Sequence, residues 1–138
     1  MFTQIVVPVD LSDRHQPALD LAARLVERNR GEVTLLHIIE VIPELAVDEE
    51  PDFYDNLERR ARAHLTRLGE RLAQQHVPCQ LVVAYGQPVV EILRYALETG
   101  SDLLVLTTHR LDFHNGQVCG SVSYQVGLFC VCPVLLLK

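Results

Sequence analysis

The sequence predicts an α/β protein, a single domain over residues 1–138 built as a doubly wound open sheet of five parallel strands with helices on both faces. Three observations predict it. Short β-branched runs alternate with longer stretches of helical periodicity. The runs are apolar at consecutive positions, as in strands buried on both faces. Parallel neighbours need crossover connections, and the helical stretches supply them. No internal repeat or linker divides the chain, and 138 residues is an ordinary size for one domain.

Residues 4–9 (QIVVPV) form the first strand. Pro17 falls where the first turn of a helix tolerates it. Ala18, Leu21, Ala22, Leu25 and Val26 recur at helical spacing, and residues 29–31 (NRG) stop the helix. Residues 32–39 (EVTLLHII) are the second strand. The segment 41–52 holds two prolines and five acidic residues, which predicts a surface connection and the most mobile part of the chain. Phe53, Leu57, Ala61, Leu65, Leu68 and Leu72 mark a long amphipathic helix that Val77 and Pro78 end. Residues 80–84 are the third strand. Residues 86–88 turn into a helix carrying Val89, Ile92, Leu93, Ala96 and Leu97, closed by Gly100. Residues 103–106 are the fourth strand. A polar loop over 107–118, a short helix around 121–128 and a last strand at 133–137 complete the order.

The net charge of −6 and the scatter of the basic residues argue against nucleic acid as a partner. The one dense basic group, Arg59, Arg60 and Arg62, reads as a solvated helix face. No apolar run reaches the ~18 residues of a membrane span, and MFTQIVVPVD has neither a basic lead nor a small-residue cleavage site. A cytoplasmic protein that engages neither nucleic acid nor membrane is therefore expected. Cys79, Cys119, Cys130 and Cys132 are then reduced thiols that pack as small apolar side chains.

Three places carry chemistry. Asp10 follows the first strand, where open α/β sheets bind ligands, although Asp also favours caps and turns. Gly120-Ser121 precedes the last helix, where free N–H groups and the helix dipole suit a phosphate, or where Ser simply caps. Thr107, Thr108, His109 and Arg110 follow the fourth strand with hydroxyls, an imidazole and a guanidinium, a kit for a polyphosphate or an exposed polar loop. His114 and Cys119 alone do not make a metal site. His37 reads as a core residue, and His15, His64 and His76 read as surface positions. The nucleophile elbow G-x-S-x-G, the Walker A loop and G-x-G-x-x-G are absent. A response-regulator receiver needs a strand-end lysine, and the only lysine is Lys138.

As an ordered set, these segments resemble the universal stress protein family along the whole chain. IVVPVDLSD is similar to the family's opening strand and aspartate, and EVTLLHII to its second strand. YGQPVVEILRYALETGSDLLVL resembles its G-x-P-x-x-x-I helix and following strand. GSVSYQV and CPVLLLK resemble its closing helix and last strand. The resemblance implies strand order 3-2-1-4-5, with the reversal between strands 1 and 4 opening a crevice. Pro8, Val9, Asp10, Ile38 and Leu106 would meet an adenosine moiety there. Thr107, His109, Arg110, Gly120, Ser121, Val122 and Ser123 would line its ribose and phosphates. Nucleotide-binding members carry roughly G-x(2)-G-x(9)-G-[ST] in this loop. In that register Thr107 and Arg110 replace the first two glycines, and side chains there narrow the backbone approach.

The expected function is that of a small stress-response protein binding ATP or a related adenine nucleotide, Mg2+ accompanying it, with slow or no hydrolysis rather than enzymatic turnover. The alternative, favoured by the replaced glycines, is a nucleotide-free dimeric module acting through protein partners. An enzyme built on the loop containing His114 and Cys119 is the remaining reading. In the first two, the last strand is an apolar edge that a second copy of the chain would cover.

Overall fold

The computed structural model describes residues 1–108, 113–114, 117–118 and 122–138. The elements run β1 (Gln4–Pro8), α1 (Gln16–Asn29), β2 (Glu32–Glu40), α2 (Pro51–Gln74), β3 (Cys79–Gly86), α3 (Pro88–Thr99), β4 (Leu103–Thr107), β5 (Phe113–His114), β6 (Gln117–Val118), α4 (Val122–Phe129) and β7 (Val134–Leu137). Five strands form one parallel sheet in the order β3-β2-β1-β4-β7, which is the expected 3-2-1-4-5. The polar loop expected over 107–118 instead contains an antiparallel pair, β5 with β6, in which Phe113 faces Val118 and His114 faces Gln117.

Alternation along the strands divides the core. Ile5, Val7 and Val9 point to one face with Val33, Leu35, Leu103 and Val105, where they meet Leu19 and Ala22 of α1 and Leu65 and Leu72 of α2. Val6, Leu36, Leu104 and Leu106 point to the other face and meet Val89, Ile92 and Ala96 of α3 and Val126 of α4. The helices thus cover both faces, as a buried parallel sheet requires.

Caps and close approaches set the register. Pro51 and Pro88 open α2 and α3, and the Gln87 side chain accepts the Val90 N–H at 2.9 Å. The stop of α1 is a left-handed Arg30, φ 55°, followed by Gly31. A Cβ on Gly31 would lie 2.5 Å from the Cα and carbonyl oxygen of Thr3, so the chain passes too close there for any side chain. Asp102 fastens the same end of β1: its Oδ2 accepts the Thr3 N–H at 2.9 Å and its Oδ1 the Gln4 N–H at 3.0 Å.

Strand β3 is longer than the expected 80–84 because it pairs with β2 along its whole length, from Cys79 opposite Val33 to Gly86 opposite Glu40. The acidic connection before α2 is held rather than loose at its start. Ile42 bridges to Leu45, and the buried Tyr54 hydroxyl accepts the Ile42 N–H at 3.1 Å while donating to the Leu45 carbonyl. Cys79, Cys130 and Cys132 are free thiols, as expected, and partly buried. Burial pushes the Cys79 thiol up to about 11, and burial with the adjacent Cys130 pushes Cys132 up to about 12, so both remain protonated. Cys119 lies outside the described residues. None of the described helices is long and apolar enough to cross a membrane.

Candidate functional site

The crevice forms where the strand order reverses, between the carboxyl ends of β1 and β4. It has a volume of about 560 Å³. Pro8, Val9 and Asp10 line it from the end of β1, Ile38 from β2, and Leu106 and Thr107 from β4. Val122 and Ser123, at the start of α4, close the far side. These eight are the sequence-derived candidates that fall within the described residues. His109, Arg110, Gly120 and Ser121 lie outside them.

Asp10 organises the rim through a short local network. Its Oδ1 accepts the Ser12 N–H at 2.8 Å and the Ser12 hydroxyl at 2.5 Å, the side-chain-to-backbone turn that Asp favours. The Arg14 guanidinium donates to Oδ2. His15 Nε2 lies 2.8 Å from Oδ1, and the Asp10 N–H is directed at the same nitrogen at 3.1 Å. The two contacts ask opposite things of Nε2; the shorter one, to an ionised carboxylate, is the stronger, and it puts the hydrogen on Nε2 and the lone pair on Nδ1.

Burial acts to raise the Asp10 carboxyl, but the hydrogen bonds from Ser12 and His15 outweigh it and hold the group well below the ordinary carboxylate range. His15 moves down as well. Burial is the main cause, with Arg14 and His64 adding to it against the opposing pull of Asp10. In both cases the unfolded chain takes up its proton first as the pH falls. The His15 contribution to stability is therefore whole above its unfolded value of 6.5 and is lost as the pH drops towards its lower folded value. The Asp10 contribution is whole above 3.8 and is lost below that, towards its own depressed value. We expect the melting temperature to fall as the pH drops through and below 6.5, and His15→Gln to flatten that part of the profile. Parallel profiles for variant and parent over this window would reject the assignment to His15.

Two further groups shape the crevice. His37 Nδ1 donates to the Val9 carbonyl at 2.8 Å, which leaves Nε2 as the acceptor of a ring lining the cleft. Ser123 Oγ donates to the Thr107 carbonyl at 3.1 Å and ties α4 to the end of β4. The Thr107 hydroxyl is buried and meets no hydrogen-bond partner among the described residues. A buried hydroxyl costs free energy unless something bonds to it, so this one marks a place for a polar ligand group.

The family model described as "Universal stress protein family" matches residues 1–138. The chain belongs to the universal stress protein family. A universal stress protein of Thermus aquaticus is 31% identical over 140 residues, covering all of both chains. Among solved structures, a universal stress protein in complex with cAMP superposes with a TM-score of 0.73 at 22% identity, covering 98% of this chain and 96% of the other. The universal stress protein of Archaeoglobus fulgidus in complex with dAMP gives 0.74 at 19% identity, covering 99% and 98%.

In this universal stress protein domain the sequence reading missed Arg14, His15 and His37, all of which line the crevice. The expectation of a surface His15 is corrected. It is 4% exposed because it caps the start of α1 beneath the Asp10 turn. His64, also expected at the surface, is 6% exposed because α2 turns it in beside Leu65 and Leu68. The four-residue step from Asp10 to Arg14 was the one available signal of an ion pair.

Proposed function

We propose that this universal stress protein binds an adenine nucleotide in the crevice between β1 and β4 and serves as a stress-response module without rapid turnover. The observation that carries the reading is the Thr107 hydroxyl, buried without a partner among the described residues at the strand-order reversal, in a cleft of nucleotide dimensions. Ile38 and Leu106 offer apolar contacts for the base. Asp10 offers its Oδ2, which carries one bond from Arg14 and retains acceptor capacity for a ribose hydroxyl or an amino group. Structural relatives crystallised with cAMP and dAMP support the adenylate class. ATP is the fuller occupant of the same reading. Among the described residues no cluster of three His, Cys, Asp or Glu side chains could hold a metal, so Mg2+ would arrive on the phosphates. The reading places the protein in the cytoplasm, where its thiols stay reduced.

The deciding experiment denatures freshly purified protein and identifies the released small molecules by chromatography and mass spectrometry, followed by calorimetry with AMP and ATP. Adenine nucleotide near one per chain supports the reading. None released and none bound would return the chain to the nucleotide-free module that the side chains of Thr107 and Arg110, in place of glycines, favour.

The same reading includes a homodimer. Among the described residues strand β7 pairs only with β4 and its other edge is unpaired, and Leu135, Leu136, Phe129 and Val131 are exposed. A second β7 would cover that edge. Leu136→Glu should yield monomers by sedimentation, and a variant that stays dimeric counts against this interface.

A further inference from the structure

A second cavity, of about 260 Å³, lies behind the crevice between the start of α1 and the middle of α2. His15 lines both spaces. The second one is polar, and two histidines that are more than nine-tenths buried border it. Nδ1 of His15 and Nε2 of His64 are buried and meet no hydrogen-bond partner among the described residues.

Their neighbours fix what each orphan nitrogen offers. His15 Nε2 donates to Asp10, so its Nδ1 is an acceptor. Arg67 lies 3.2 Å from His64 Nδ1, and a guanidinium can only donate. Nδ1 of His64 therefore accepts, and its Nε2 carries the hydrogen. The two rings that line the cavity thus carry one buried acceptor and one buried donor, and an occupant that engages both must supply a matching donor and acceptor.

Charge narrows the occupant further. Arg67 and Arg71 stand at the rim, with the exposed Asp13 as the only carboxylate among the lining residues. Arg71 donates to Gln16 Oε1 at 2.6 Å, which holds the guanidinium over the start of α1 and leaves it further N–H groups. The positive end of the α1 dipole adds to the two guanidinium charges. Asp13, His15 and His64 are not placed together as metal ligands, since no group of three His, Cys, Asp or Glu that could hold a metal ion is present among the described residues.

We propose that this cavity binds hydrogenphosphate, an oxyanion whose P–OH can donate to His15 Nδ1 while its other oxygens accept from His64 Nε2 and the two arginines. The site is separate from the nucleotide crevice and shares only the His15 ring with it. Sulfate has the same size and shape but carries no proton near neutral pH. It cannot satisfy His15 Nδ1, so discrimination against it follows from the same hydrogen bond.

The test uses the full chain and inorganic phosphate. Long-range proton–nitrogen NMR spectra of the histidine rings follow a phosphate titration, with sulfate as the control anion and calorimetry alongside. We expect saturable shifts of the His15 and His64 ring nitrogens, with affinity on the order of 1 mM, and sulfate weaker by about tenfold or more. Arg67→Gln with Arg71→Gln, both exposed positions, should weaken phosphate at least about tenfold while AMP binding is unchanged. Absence of saturation by ~20 mM phosphate overturns the proposal. So does phosphate binding that survives the double variant or is abolished by saturating AMP, since either result places the anion in the crevice. Equal binding of sulfate and phosphate removes the His15 acceptor from the recognition and overturns the hydrogenphosphate assignment.

Discussion

Replacing Asp10 with alanine is expected to weaken adenine nucleotide binding by on the order of a hundredfold, the scale of one or two lost charge-assisted hydrogen bonds. The carboxylate is one group serving several purposes. It accepts from the Ser12 amide and hydroxyl, from Arg14 and from His15. It also lines the crevice beside the position a ribose or adenine edge would take. Its removal deletes a ligand acceptor, takes one partner from the Arg14 guanidinium, and leaves the buried Nε2 of His15 without its acceptor. The loop from β1 to α1 should loosen, while the core strands, which Asp10 does not touch, keep the chain folded. Calorimetry with AMP reads the affinity, and circular dichroism checks the fold. An unchanged affinity in a folded variant would remove Asp10 from the site. Asp10→Asn separates the parts: it keeps an oxygen for Ser12 but loses the charge that holds Arg14, so it should fall between the parent and alanine.

The second large effect is structural. Gly31→Val should destabilise the protein on the order of 3 kcal/mol or more, because the new Cβ would stand 2.5 Å from the Thr3 backbone. Backbone cannot rotate away as a side-chain tip can, and Thr3 is fastened on both sides. Its N–H goes to Asp102 and its carbonyl accepts the Glu32 N–H at 2.8 Å. Relief of the clash therefore has to open the start of the β1–β2 pairing. Thermal melting should show a drop of roughly 10 °C for a chain of this size. Gly100→Ala is the control. It sits at φ +65° with open space around its Cβ, so only the left-handed strain of about 1 kcal/mol applies. If both variants lose the same stability, the close approach at Thr3 is not what requires glycine.

The parallel fold was legible because consecutive apolar residues, as in QIVVPV and EVTLLHII, can be buried on both faces only inside a covered sheet. Asp10 and Thr107 were legible as crevice residues because a strand's carboxyl end is a position that the chain order itself defines. His15 and His64 were not. His15 stands among polar neighbours and its burial depends on how α1 and α2 pack together, whereas His64 lies on the helical stripe of Ala61, Leu65 and Leu68 but was read by its polarity. The pair β5 and β6 was hidden for a related reason: two-residue strands are too short to show a period. The stop of α1 was read at residues 29–31; within it the left-handed residue is Arg30, and Gly31 is needed for the space it leaves empty.

The two faces of the sheet are unequally filled. Among the described residues, sixteen buried apolar side chains gather on the α1–α2 side and eight on the α3–α4 side, so the second layer should detach at lower cost. Amide hydrogen exchange on α3 and α4 should accordingly proceed through a partial opening that leaves α1, β1 and β2 protected until the whole domain unfolds. Ile92, Val122 and Ser123 belong to that looser layer and also wall the crevice. An occupant of the crevice therefore binds the closed layer and not the opened one, and it slows exchange on α4 in proportion to its occupancy. Through that coupling, the least secure part of the molecule becomes the part that registers whether the crevice is filled.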